Sequence, residues 1–473
     1  MKTFDTIIGN GLVAVNGRLE RMDIAVRDGA VAALLEAGSA AGHEHHDASG
    51  MLVLPGAIDM HVHFREPGFT HKEDFLHGSA AAACGGVTTI CDMPNTRPPV
   101  VSAERLSEKI ALVSEKSHVD FGLWAGGTDV AEFPAMAAAG AIGLKVYMNR
   151  AVRASDPYAG ELSMSDDGRF LEVLEAAARL DWPVAVHVAN SPIDELARTR
   201  SQAAGKAHAM DVCCSYRAPA SVEALSRAAL FARVAGARLH IAHISLNAIE
   251  AVAALVEARR QDCRLTAEVA PPALSFAELD RLGPRGVPFA HPPRDLDLYW
   301  EALESGTIDA IATDHAPHTA AEKDAGRDNP WAAPPGYPGV ETSLALAIDA
   351  MIAKKLSLAS LVKVCAENPA RILGLQHKGA LLPGHDADIN IVDPNGDWVV
   401  DEGKLHSKAG WSPFHGRRLK GRIAKTFLRG RLVAERGELV SESLPVGRFL
   451  KRPDQPHPDG TEQPAGRRIG GRA

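Results

Sequence analysis

No apolar run in these 473 residues approaches the roughly 20 that a membrane span needs, so no membrane partner is expected. The opening residues Met1-Lys2-Thr3-Phe4-Asp5 lack the charged head and apolar stretch of a secretory signal. Cysteines are few, at positions 84, 91, 213, 214, 263 and 365, and none forms a CxxC pair. The adjacent Cys213 and Cys214 suit neither a zinc knuckle nor a simple disulfide framework, so a reduced, cytoplasmic protein is expected. There is no excess of positive charge. The formal net charge is -8, which recruits neither nucleic acid nor an anionic surface. What remains is ordinary globular material, 46% hydrophobic and 23% charged, long enough for a large core.

Short apolar runs recur at 57–63, 87–91, 121–124, 142–147, 184–188, 239–244, 265–269 and 308–312. Between them lie stretches rich in Ala, Leu and Glu, such as 168–180, 221–235 and 249–260. Their spacing, near 3.6 residues, predicts amphipathic helices. Eight strand-helix alternations predict an α/β fold with a parallel sheet, and that number suits a closed (β/α)8 TIM-type barrel over 55–377. The two ends read differently, as short strands and turns. Residues 1–54 and 378–445 are expected to form one small β domain built from both termini. From 446 to 473 Pro, Gly, Arg and other charged residues dominate, and a disordered tail is expected.

Asp59-Met60-His61-Val62-His63 closes the first barrel run. Residues two apart on a strand point the same way, so His61 and His63 project together. Strand C-termini form the mouth of such a barrel, and two imidazoles placed there can bind one divalent metal. An isolated HxH is more often structural. Here His187, His243 and Asp314 also end separate runs, and Lys145 lies within another. Four histidines and an aspartate in that order are hard to explain by packing.

A buried Lys145 is costly unless paired, and an ion pair or a snorkelling side chain would each account for it. Carbamylation is the functional alternative, since the lysine would become a bidentate anion. Two divalent ions set against Asp314, a carbamate and a hydroxide leave a site near one net positive charge. An ammonium would overcharge it.

The segment from Pro55-Gly56-Ala57-Ile58-Asp59 through His63-Phe64-Arg65-Glu66-Pro67-Gly68 resembles the cyclic amidohydrolases: dihydroorotase, allantoinase and hydantoinase. Gly85-Gly86-Val87-Thr88-Thr89, Asp92-Met93-Pro94-Asn95-Thr96, Thr313-Asp314-His315-Ala316-Pro317-His318 and Gly336-Tyr337-Pro338-Gly339-Val340-Glu341-Thr342 extend the likeness over most of 50–445. The resemblance implies one metal held by His61, His63, Lys145 and Asp314, and a second held by Lys145, His187 and His243. Two divalent ions are expected, zinc first among Zn2+, Mn2+, Co2+ and Fe2+. It further implies that Asp314 takes a proton from the attacking water and passes it to the leaving ring nitrogen. A non-catalytic partner subunit would typically have lost ligands, and all six positions are present.

The substrate is expected to be a small cyclic amide, dihydroorotate first, with allantoin, hydantoin or dihydropyrimidine as alternatives. The resemblance to dihydroorotases places Arg65, Asn95 and His318 around a substrate carboxylate. Arg offers a planar fork suited to that group, although a salt bridge to Glu66 or Asp74 would also explain it. Three departures bear on the substrate. Ala270-Pro271-Pro272-Ala273-Leu274 replaces Pro-His-His-Leu. His291 stands where an Asn usually contacts the ring. Val188-Ala189 replaces Ala-Glu. Asp167, just before a helical pattern, is expected to cap it. The protein is expected to act as a homo-oligomer.

Overall fold

Near-continuous apolar runs can lie only in strands covered on both faces, and eight of them here close into a ring. The computed structural model describes residues 4–149, 160–206, 208, 220–244, 248–274, 279–287, 296–440 and 445–452. Five strands precede the ring: β1 (Phe4–Val15), β2 (Arg18–Arg27), β3 (Ala30–Glu36), β4 (Gly42–Asp47) and β5 (Leu52–Pro55). The ring is β6 (Ala57–Val62), β7 (Val87–Asp92), β8 (Asp120–Gly126), β9 (Gly143–Tyr147), β10 (Pro183–His187), β11 (Arg238–Ile241), β12 (Leu265–Val269) and β13 (Ala310–Ile311). Four strands follow: β14 (Ile389–Val399), β15 (Arg418–Leu428), β16 (Arg431–Glu435) and β17 (Glu438–Leu439).

Ring strands pair in sequence order and in parallel. The ring closes between β13 and β6 through side chains and loops. Asp59 Oδ1 accepts the Thr313 N–H at 3.0 Å, and His63 N–H donates to His315 O at 2.7 Å. Met60, Trp124, Ile142, Ala185 and Ala312 fill the interior, so the barrel is a packed core. The helices Asp167–Arg179, Ala220–Ala235 and Ala248–Arg260 fall on the expected stretches. Asp166 caps the first of these, accepting from Arg169 N–H at 2.9 Å. The cap expected at Asp167 is corrected by one residue: Asp167 is the first helical residue, and its carboxylate instead meets Arg227.

The second sheet runs β17-β16-β15-β14-β5-β1-β2-β3, with β4 beside β1. β5 lies between β1 and β14, so the two ends of the chain pair directly, Ile391 opposite Val53. Ile8, Val13, Ile24, Ile389 and Phe427 form its core. Gly56 joins β5 to β6 where a Cβ would lie 2.1 Å from Thr88 Oγ1, so only glycine fits. Between barrel and sheet, Lys378 Nζ is held by Asp120, Asp386 and Asp388 at 2.6, 2.8 and 2.7 Å.

The boundary expected for the tail is corrected. Residues 446–452 lie against the barrel rather than free. Gly447 N–H donates to Ser117 O at 2.8 Å, Phe121 N–H to Arg448 O at 2.9 Å, and Leu450 N–H to Phe121 O at 2.7 Å. Leu450 packs on the interior cluster, and Arg452 donates to Asp181 O at 2.6 Å. This strap crosses the N-terminal ends of β8 to β10, opposite the expected mouth. The average composition of the tail conceals Phe449 and Leu450, which bury apolar surface there. Residues 453–473 lie outside the described residues.

Candidate metal centre

His61 lies in β6 and His63 just beyond its end. Lys145 lies in β9, His187 ends β10, His243 follows β11 by two residues, and Asp314 follows β13 by three. All six therefore occupy the C-terminal rim. The structure brings them into one cluster. His63 Nε2 and His61 Nε2 stand 3.0 and 3.4 Å from Asp314 Oδ1, and Lys145 Nζ is 3.5 Å from His61 Nε2. His61 and His243 have ring centroids 5.4 Å apart, and His187 Nδ1 lies 2.8 Å from His243 Nε2. His61, His63 and Asp314 each place a donor atom within 4.8 Å of the others'.

Backbone geometry aims these groups. Arg65, His243 and Asp314 adopt φ of 62°, 35° and 48°, left-handed values that cost non-glycine residues about 1–3 kcal/mol each. Each lies where the chain leaves a strand for the rim. Asp314 and His243 can turn toward the cluster there, where a continued strand would point them elsewhere.

Burial disfavours the charged form of His63, His187 and His243 and so leaves lone pairs free for a metal. It pushes His63 down to about 3, His243 to about 4, and His187 well below its usual value. Burial alone would raise the Asp314 carboxyl, but His61, His63 and His243 outweigh it and hold the group ionised. Lys145 is fully buried, and desolvation lowers its amine to about 8. Four imidazoles, one carboxylate and a lysine amine, converging in a dry site, form a donor set that fits divalent metal.

The sequence reading missed Glu268. This carboxylate, 1% exposed in β12, pairs with His61 Nδ1, receives the His243 N–H at 3.1 Å, and lies 3.0 Å from His240 Nε2. It therefore turns His61 Nε2 toward Asp314 and Lys145. Its only trace in the sequence is one acidic residue in the run Leu265-Thr266-Ala267-Glu268-Val269, which by itself does not point to His61. His315 was also passed over, although it lies in a quoted motif. Its Nδ1 accepts from the backbone N–H of Gly339 at 3.0 Å, and its Nε2 is 3.3 Å from Glu73.

The expected substrate residues divide. Asn95 Oδ1 lies 2.6 Å from His63 Nδ1, so Asn95 fixes a metal-ligand candidate directly. Its Nδ2 is buried with no hydrogen-bond partner among the described residues. Arg65 is buried and joined to neither Glu66 nor Asp74. Its Nε donates to Pro317 O at 3.3 Å, and Nη2 lies 3.4 Å from His318 Nε2. Lys72 Nζ stands 3.1 Å from His318 Nδ1 and 3.1 Å from Glu322. His291 lies outside the described residues. Pro271 and Pro272 form a buried 3₁₀ turn after β12.

A (β/α)8 barrel bearing such a cluster on its rim defines a class of metal-assisted hydrolase. Residues 52–433 match the amidohydrolase family, and the chain belongs to it, among the cyclic amidohydrolases. It is 36% identical over 464 residues to an allantoinase of Rubrobacter xylanophilus, covering 95% of this chain and 98% of that protein. A dihydroorotase of Halobacterium salinarum is 38% identical over 397 residues, covering 82% and 87%. Among solved structures, the L-hydantoinase (dihydropyrimidinase) from Arthrobacter aurescens superposes with a TM-score of 0.90 at 32% identity, covering 95% of this chain and all of that one. No helix among the described residues is long and apolar enough to cross a membrane.

Proposed function

We propose that this cyclic amidohydrolase opens the ring of a five-membered ureide, with allantoin as the first substrate to test. Dihydroorotate, which the motifs put first, becomes the second reading. Relatives named allantoinase at 33–36% identity span 94–95% of the chain, whereas the dihydroorotase of similar identity spans 82%. The observation that carries the choice is the group around His318. Lys72 is already paired with Glu322, and burial brings His318 to about 3, leaving it neutral. Arg65, His318 and Glu322 then present donors and acceptors together. A ureido side chain has both, whereas a carboxylate only accepts. Arg65 itself favours the second reading, because its fork matches a carboxylate.

When bound, two divalent ions, zinc in the first instance, would supply Lewis-acid polarisation of the ring carbonyl and a nucleophilic water at neutral pH. His61, His63, Lys145 and Asp314 would hold one, and Lys145, His187 and His243 the other. Lys145 would do so as its carbamate, supported by its place beside His61 among neutral imidazoles. Glu268 and Asn95 orient His61 and His63. Asp314 is the group that takes the water proton and delivers it to the leaving nitrogen. Among the described residues, Cys84, Cys91, Cys263 and Cys365 are buried free thiols, which supports a cytoplasmic setting.

A panel of allantoin, hydantoin, dihydrouracil, dihydroorotate and carbamoyl aspartate decides the substrate. Allantoin should give the highest kcat/KM. A higher value for dihydroorotate would replace this reading with the second and leave the family untouched.

A further inference from the structure

Cys84 ends the helix Phe75–Cys84 on the outer layer of the barrel. Its Sγ lies 3.7 Å from Nε2 of His406, in the segment between β14 and β15. The other ring nitrogen of His406 is 2.9 Å from Glu341 Oε1, and the His406 backbone N–H donates to Glu341 Oε2 at 2.8 Å. Glu438, in β17, brings Oε2 to 4.0 Å from His406 Nε2. None of these groups has a part in the hydrolytic site.

We propose that Cys84 Sγ, His406 Nε2 and Glu438 Oε2 bind a further divalent ion of the zinc type, with Glu341 orienting the imidazole. Both Glu341 oxygens are taken by His406, so Nδ1 carries a proton and Nε2 is the ring nitrogen left to face the thiol. Carboxylate–histidine pairs of this kind recur behind metal-binding imidazoles. The spacing also fits. Ligand bonds of roughly 2.3 Å to sulfur and 2.0–2.1 Å to nitrogen, at a tetrahedral angle, put the two atoms about 3.5 Å apart. An S–H hydrogen bond to the imidazole, with Glu438 paired to a protonated His406, would account for the same distances without an ion, and a thiolate-to-cobalt band separates the two.

Access and charge point the same way. The Glu438 side chain is 72% exposed while Cys84 is 6% exposed, so an ion can enter from solvent and reach a buried sulfur. Burial, with the Glu341 and Glu438 carboxylates adding to it, drives the Cys84 thiol far above its usual value. Without a cation the thiol stays protonated and inert. On binding, the S–H bond breaks, its electron pair goes to the ion, and the proton leaves to solvent together with any proton that Glu341 and Glu438 hold on Nε2. Thiolate and Glu438 then balance the charge, and the fourth position is open to water. The triad Asp120, Asp386 and Asp388 differs, because Lys378 already occupies it. An ion at Cys84 would join a barrel helix to the terminal sheet.

The test is a Co2+ titration of the metal-replete protein. The candidate ligands at the barrel mouth include no sulfur, so a thiolate-to-cobalt charge-transfer band reports a cysteine. The expected result is one such band, saturating at one equivalent and absent from Cys84→Ser and His406→Gln, with kcat unchanged in both. Glu341→Gln should weaken Co2+ binding about 10–100-fold, as loss of an orienting carboxylate does. Zn2+ should raise the Tm of the wild type more than that of Cys84→Ser. Glu438→Gln alters only an exposed side chain and still tests the site if the buried variants do not fold; it too should weaken binding. No band in the wild type, a band that persists in Cys84→Ser, or unchanged affinity in Glu438→Gln would each overturn the proposal.

Discussion

One carboxylate, that of Glu268, touches His61, His240 and the backbone N–H of His243, groups from two different strands. Glu268→Gln keeps the shape but removes the charge that holds His61 Nδ1 as a donor. Metal affinity should fall about 10–100-fold, measured by competition with a chelator. Retention of wild-type affinity would mean that His61 is positioned by packing alone. Asp314 and Lys145 allow sharper tests. Asp314→Asn should abolish turnover while leaving the melting temperature close to wild type, and substantial residual kcat would remove Asp314 from the proton path. Lys145→Ala should lose metal, with partial recovery on adding short carboxylic acids that replace the bridge. A free amine found at Lys145 in active, metal-replete protein would rule out the carbamate. At this scale the sequence was informative where residue type is chemically loaded. His61, His63, Lys145, His187, His243 and Asp314 were legible, and they converge in the structure. Glu268 was not, because one acidic residue in a strand carries no pattern until the strand facing it is known.

Elements were legible where periodicity is strong. All eight ring strands and the three helices that were read from spacing stand within a few residues of expectation. The ends were harder. The run 308–312 contains a strand of only two residues, Ala310–Ile311, because Asp59 and Thr313 close the ring there in place of a longer ladder. The strap at 446–452 escaped notice because two apolar residues sit beside a charged tail. It should matter for stability. Leu450→Ala should cost about 2 kcal/mol, seen as a lower denaturation midpoint, since Leu450 packs on the barrel interior. Truncation after Arg452 should be silent, while truncation after Val440 should lower Tm markedly. Equal Tm for the two truncations would show that the strap is decorative.

For the molecule as a whole, the joint at Lys378 is the sensitive point. The ammonium is buried among Asp120, Asp386 and Asp388, with Arg429 also on Asp120. Burial already raises the Asp388 carboxyl, and Lys378 opposes that rise. In Lys378→Met the Asp388 carboxyl would shift further up in the folded state. The sign follows: groups raised on folding support stability when protonated and oppose it when ionised. The loss should therefore be largest near neutral pH, about 3–5 kcal/mol, and shrink as pH falls through the raised values. Urea melts at several pH values measure it, and a pH-independent loss would assign the effect to packing.

The sequence by itself determined the alternation of strand and helix, the barrel that follows from it, and the metal-type side chains at strand ends. Those depend on period, residue chemistry and order along the chain, which are local properties. Tertiary structure alone decided the partners that act across distance: Glu268 on His61 and His240, Asn95 on His63, Lys72 and Arg65 on His318, and Cys84 beside His406. It also decided that the sheet expected from both termini is joined through β5 and β14, and that the strap covers the lower end of the barrel. Such contacts join residues tens to hundreds of positions apart, and no local period records them. They form only when burial of the apolar strands has fixed the ring and brought the distant side chains within reach.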